Sequence, residues 1–169
     1  QRLQDFVALL ERWNPAINLV SRVSLADVWA RHIEDSAQVF GYLPVGARRW
    51  VDLGSGGGFP GVVIAIVAKE LAPNLEVVLV EADRRKATFL QTAVRETGIN
   101  ARVVAERIEA IEPLTADVLS ARALAPLPQL CGYASRHLAE GGTAIFLKGS
   151  SAKEEIAAAL QDWSFGCVA

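Results

Sequence analysis

Residues 51–61, VDLGSGGGFPG, constrain what this chain can fold into more than any other stretch. An apolar run stops at Leu53 and meets four glycines within five residues, followed by Phe59-Pro60-Gly61. Side-chain-free backbone of this kind presses close to a ligand. Pro60 fits the first turn of a helix, and GVVIAIVA after it reads as a helix buried on most sides.

That strand, turn and helix open a repeating rhythm. Short apolar runs occur at Trp50–Leu53, Val77–Val80, Arg102–Ala105, Asp117–Ala121 and Thr143–Leu147, with helical text between most of them. The link before Asp117, ERIEAIEPL, is short and interrupted by Pro113. Such alternation predicts an α/β fold with a mostly parallel sheet and helices on both faces. A helical segment precedes it, dividing one 169-residue domain into residues 1–45 and a core from 46 to 169. Leu3, Phe6, Val7, Leu10 and Trp13 share one helical face, and Asn14-Pro15 predicts the end of that helix. Ser24, with Asp27 three residues on, reads as the N-cap of helical text running to Phe40. The chain begins inside a helical pattern, from which a preceding portion is expected, and DWSFGCVA reads as the opening of a truncated sixth strand.

Composition narrows the class. At 51% hydrophobic and 21% charged, the chain is an ordinary globular one. The net charge of −2 gives no global basic signature, although Arg-rich local faces remain open. Cys131 and Cys167 lack metal-ligand spacing and read as buried thiols of a reducing compartment. No apolar stretch is long enough to cross a membrane and no signal-peptide pattern opens the chain, so the cytoplasm is expected.

The glycine loop has two registers. Gly56-x-Gly58-x-x-Gly61 matches a dinucleotide fingerprint, which would make the chain an NAD-dependent dehydrogenase. Asp52-x-Gly54-x-Gly56-x-Gly58 instead matches the loop of S-adenosylmethionine-dependent methyltransferases. A pyrophosphate site needs its first glycine directly after the strand, at the helix N-terminus. Starting at Gly56 strands Gly54 and Ser55, whereas starting at Gly54 places the turn right after Leu53. The second register fits better. Glu81, ending the next strand, suits the hydroxyls of a ribose in either case, or is simply a strand-end acid. No Gly-Lys-Ser/Thr follows, and no G-x-S-x-G occurs, which excludes a Walker loop and a nucleophile elbow.

WNPAINLVS, RHIEDS, VDLGSGGGFPGVVIAI, LVEADRRKATFL, ERIEAIE, SARALAPL and FLKG together resemble one family over essentially the whole chain. It is that of the bacterial small-subunit ribosomal RNA guanine-N7 methyltransferases, also called glucose-inhibited division protein B. The resemblance implies a Rossmann-like class I methyltransferase fold, S-adenosylmethionine as cofactor, and methylation of a guanine in 16S rRNA. The partner it implies is 16S rRNA, in the 30S subunit or its precursor; no metal, no membrane and a monomeric protein are expected beside it. It also implies that Gly54 and Phe59 line the cofactor pocket, within a loop including Asp52, Gly56 and Gly58. Glu81, Ala82 and Asp83 would flank the ribose, Ile108 and Glu109 the adenine, and Arg122 would reach the cofactor or the reacting base. Family chains continue through a further strand and a basic tail.

Outside the cofactor loop, Arg31, His32 and Asp35 fall at i, i+1 and i+4 of one helix, so that Arg31 and Asp35 share a face. With Asn18 they are candidates for the pocket entrance, His32 having the alternative of a buried structural histidine. Lys148 would meet an RNA phosphate or a neighbouring acid. Arg122 would otherwise form a surface salt bridge. A non-catalytic binding module, or a methyltransferase acting on another acceptor, remains open because a cofactor loop does not name the acceptor.

Overall fold

The computed structural model describes residues 1–166. Five strands form one parallel sheet: β1 (Arg49–Leu53), β2 (Glu76–Val80), β3 (Ala101–Val104), β4 (Ala116–Arg122) and β5 (Leu138–Leu147), in the order β3-β2-β1-β4-β5. The order reverses beside β1, and a crevice opens there at the carboxyl ends of β1 and β4, where α/β sheets bind ligands.

Alternate residues of the central strands feed two cores, as strand periodicity requires. Trp50, Val77, Leu79 and Val118 face α1 (Arg2–Ile17), α4 (Gly61–Leu71) and α5 (Arg84–Thr97). Val51, Leu53, Val78, Val80 and Leu119 face α6 (Leu127–His137) and α7 (Ala152–Ala159). Phe6 of α1 is fully buried against Phe59 and Phe89, at centroid distances of 5.4 and 6.3 Å. The N-terminal helix thus packs directly on the glycine loop and on α5.

The five strands and the helices between them lie where the sequence predicts, with local differences. α1 continues through Asn14-Pro15 to Ile17. Buried Asn14 explains this: its side chain donates to Val20 O at 3.1 Å and accepts from Val20 N at 2.9 Å. Residues 18–20 are thereby tied to the helix, which ends at Asn18 in a left-handed conformation (φ 50°). The next N-cap is Ser21 rather than Ser24, because Ser21 Oγ accepts from Ser24 N at 3.1 Å. Helical text up to Phe40 is broken into α2 (Arg22–Ala26), a π turn (Trp29–Glu34), α3 (Asp35–Val39) and a 3-10 turn (Phe40–Tyr42).

The link from β3 to β4 carries no helix. Arg136 Nη2 donates to Ile111 O at 2.7 Å and His137 Nε2 to Ile108 O at 3.2 Å, so side chains of α6 hold this segment in place. β5 begins at Leu138, five residues before the predicted Thr143. An irregularity separates the Ala116–Leu138 pair from Val118–Thr143. Residues 163–166 of the expected sixth strand carry no strand assignment, and 167–169 lie outside the described residues, Cys167 among them. Cys131 is half-buried rather than buried. Among the described residues no helix is long and apolar enough to cross a membrane, and no cluster of three or more metal-ligating side chains occurs.

Candidate functional site, a nucleoside-type cleft at the switch point

A cavity of about 430 Å³ opens over the carboxyl ends of β1, β2 and β4, within the range of small-molecule sites. Gly54, Gly56, Phe59, Glu81, Ala82, Ile108, Glu109 and Arg122 all line it, as do Leu19, Val20, Leu124 and Tyr133. Gly54 lies in the left-handed region (φ 65°), which favours glycine, and a Cβ there would push against the Leu124 side chain across the cavity.

Glu81 organises the floor. Its Oε2 accepts from Gly56 N and its Oε1 from Asp83 N, both at 2.8 Å. Each carboxylate oxygen retains acceptor capacity for a ribose hydroxyl. Glu109 accepts from the Tyr133 hydroxyl at 2.6 Å, a bond that holds its carboxyl below the usual range.

Asp52 is fully buried and does not line the cavity. Trp50 Nε1 donates to Ser120 Oγ at 2.9 Å, Ser120 Oγ donates to Asp52 Oδ1 at 2.7 Å, and Gly61 N donates to Asp52 Oδ2 at 3.2 Å. The expected ligand contact is therefore replaced by a positioning one, in which the carboxylate pins the start of α4 beneath the loop. Gly58 faces away from the cavity as well. A Cβ there would sit 2.9 Å from Phe6 Cζ, so this glycine serves the packing of α1. Asp83 caps α5, accepting from Arg85 N at 2.8 Å and Lys86 N at 3.1 Å; it lies beside the cavity without lining it.

Arg122 is the hinge of the site. Its guanidinium lies 5.2 Å from the Phe59 ring centroid and its Nη2 donates to His32 Nδ1 at 2.7 Å. His32, buried, stacks on the same ring at 4.7 Å and 20°. The π turn carries His32 inward while Arg31 and Asp35 stay exposed. Arg31 pairs with Asp27 at 3.5 Å, and among the described residues no ion pair joins it to Asp35. π turns recur at functional sites for this re-aiming of side chains. Asn18 is exposed beside Leu19 at the cavity rim. Lys148 meets the neighbouring acid: its Nζ lies 2.6 Å from a Glu155 carboxylate oxygen and donates to Ala125 O at 2.7 Å. Asp35, Arg122 and Lys148 line a second cavity of about 480 Å³ adjoining the first.

Burial pushes Asp52 up to about 6 and, with the Arg122 charge, His32 down to about 4. A buried carboxyl with a raised pKa contributes stability at low pH that is lost as pH rises through about 6. A histidine with a lowered pKa does the reverse, contributing stability that is lost as pH falls toward 4. The two effects oppose each other between pH 4 and 6.5. Relative to wild type, Asp52→Asn should gain about 2–3 kcal/mol over that rise in pH and His32→Asn lose a similar amount. Urea denaturation at pH 4.5 and 6.5 measures both slopes; parallel slopes for the two variants would contradict these protonation states.

Sequence reasoning missed Ser120, the strap Leu19–Val20, Leu124 and Tyr133. Only Ser120 left a signal. It is a polar residue in the apolar run DVLSA, and the register pairs it with Asp52.

Solved structures sharing this architecture include an S-adenosylmethionine-dependent O-methyltransferase from Thermotoga maritima, with a TM-score of 0.63 at 18% identity, covering 76% of this chain and 49% of that one. A precorrin-6y C5,15-methyltransferase from Geobacter metallireducens gives 0.58 at 18%, covering 76% and 70%. These likenesses establish the Rossmann-like methyltransferase fold. The family described as GidB, rRNA small subunit methyltransferase G, matches residues 1–168. The ribosomal RNA small subunit methyltransferase G of Ruegeria pomeroyi is 54% identical over 165 residues, 98% of this chain and 80% of that protein. Its counterpart in Paramagnetospirillum magneticum is 49% identical over 164 residues, 97% and 78%. With its cleft, its fold and these relatives, the chain belongs to the rRNA small subunit methyltransferase G family.

Proposed function

We propose that this protein transfers the methyl group of S-adenosylmethionine to N7 of a guanine in 16S rRNA, acting as a monomer on the 30S subunit or a precursor of it. Membership of the family carries the reaction. One observation carries the cofactor: the start of α4 is already occupied by a carboxylate. Gly61 N donates to Asp52, Val62 N donates to Gly58 O, and Pro60 has no N–H to offer. A dinucleotide site needs that helix N-terminus free to meet a pyrophosphate. Here the Gly61 amide is already spent on Asp52 and the Val62 amide on Gly58 O, which disfavours the NAD reading.

The residues fit the group. Glu81 would hold the ribose hydroxyls, Ile108 and Glu109 would flank the adenine, and the loop from Gly54 to Gly56 would admit the methionine end. S-adenosylmethionine, when bound, supplies an electrophilic methyl carbon on sulfur. Guanine N7 already has a lone pair, so the C–N bond forms as the C–S bond breaks and sulfur keeps the electron pair. No proton leaves, and the positive charge passes to the purine. The protein therefore needs no general base. It must align the two reactants and surround the moving charge with fixed dipoles and anions.

Calorimetry with S-adenosylhomocysteine and with NAD tests the cofactor, and tight NAD binding without homocysteine-form binding would overturn it. The near-neutral net charge gives weak intrinsic attraction for RNA, which favours an assembled particle over naked rRNA. Efficient methylation of protein-free 16S rRNA would count against that part.

A further inference from the structure

We propose that the second cavity is the pocket of the acceptor guanine, in which Asp35 reads the N1–H and N2 amino edge and Arg122 reads O6. This rests on the guanine-N7 reading above. The cavity, about 480 Å³, is lined by Asp35, Gln38, Tyr42, Arg122, Leu147 and Lys148. Arg122 also lines the cofactor cavity and forms the wall common to both.

The rim of guanine runs N7, O6, N1, N2. A base attacking through N7 must turn that atom toward the cofactor cavity. O6 then falls at the shared wall, where the Arg122 guanidinium has donors beyond those directed at His32 and the Arg31 carbonyl. N1–H and the N2 amino group fall farthest from the cofactor, on the side of the second cavity away from the shared wall. Asp35 is the one carboxylate among the lining residues and forms no ion pair among the described residues. Lys148 does not compete for it, being held by Glu155 and Ala125 O. Tyr42, 66% exposed at the mouth, offers a ring on which a splayed-out base can stack. Adenine would be mismatched twice, presenting an amino group to Arg122 and a lone pair to Asp35.

Asp35 gains from the chemistry as well. Positive charge arriving on the purine makes N1–H and the N2 amino group stronger donors, so their bonds to a carboxylate tighten as transfer proceeds. That interaction belongs more to the transition state than to the bound substrate, and its loss shows in kcat.

The test is single-turnover transfer from labelled S-adenosylmethionine to 30S particles reconstituted with guanosine or inosine at the methylated position, using wild type and Asp35→Ala. Inosine keeps N7, O6 and N1–H but lacks the N2 amino group. Wild type should slow about tenfold or more on inosine. Asp35→Ala should lose about a hundredfold on guanosine and show a guanosine-to-inosine ratio reduced to the small preference that N7 basicity alone sets. Its calorimetric affinity for S-adenosylhomocysteine should match wild type, which shows the fold and the first cavity intact. A wild-type rate in Asp35→Ala, or an unchanged base ratio, overturns the assignment. If wild type itself transfers nothing to guanosine particles, the guanine-N7 reading falls and the assignment with it.

Discussion

Arg122→Ala is expected to lower single-turnover methyl transfer at least a hundredfold while the protein remains folded. The guanidinium is fixed from two directions, donating to His32 Nδ1 at 2.7 Å and lying 5.2 Å from the Phe59 centroid. Both neighbours are held by the core: His32 stacks on Phe59, and Phe59 packs on Phe6. The side chain is therefore pre-oriented at the boundary of the two cavities, and such fixed charges lose most of their effect when misplaced by an ångström. Burial lowers its pKa, opposed by the charges of Asp35 and Asp52, yet an arginine stays cationic at any working pH. Stability should fall by about 2 kcal/mol, from the cation–π contact together with the bond lost by buried His32. Arg122→Lys should not restore activity, since an ammonium cannot bond His32 and a ligand in one plane. Transfer assays paired with denaturation curves measure this, and turnover near wild type in Arg122→Ala would remove the residue from the reaction.

Gly61→Ala should have the largest effect on stability, about 3 kcal/mol or more. A Cβ at Gly61 would fall 2.6 Å from Asp52 Oδ2 and 2.8 Å from Asp52 Cβ, and would also overlap Leu79 Cδ2. None of these atoms can retreat. Leu79 is fully buried between α4 and the sheet, and Asp52 is locked by Ser120, itself bonded to Trp50. Helix α4 would have to lift off β1, breaking the Gly61 N bond and leaving a buried carboxylate short of a partner. Guanidinium denaturation should show the loss, and a midpoint within experimental error of wild type would contradict this account of the loop.

The sheet was legible because both periodicities are strong. Val77–Val80 and Trp50–Leu53 are too short and apolar for helices, and the text between them is too long for hairpin turns. The register of Gly54 and the placing of Glu81 pointed to the strand ends where the first cavity opens, and both residues line it. What the pattern concealed lay wherever a side chain far along the chain overrides a local rule. Pro15 reads as a helix end, but Asn14 is bonded to Val20 and carries the helix past it. Asp52 reads as a pocket acid, but its partner Ser120 lies on a neighbouring strand 68 residues away. Arg31 and Asp35 share an α-helical face on paper, but Arg31 pairs with Asp27. The π turn from Trp29 to Glu34 buries His32 and Ile33, a tertiary arrangement with no local sequence mark.

The atom that receives the methyl group distinguishes this reaction from other uses of the same fold. Unmethylated 30S subunits are incubated with the protein and S-adenosylmethionine, and the modified nucleotide is mapped by reduction and strand scission, to which N7-methylguanosine is selectively sensitive. One 16S rRNA guanosine carrying the methyl on N7 is the predicted result. No scission, or a methyl found on another atom or in another molecule, would contradict it.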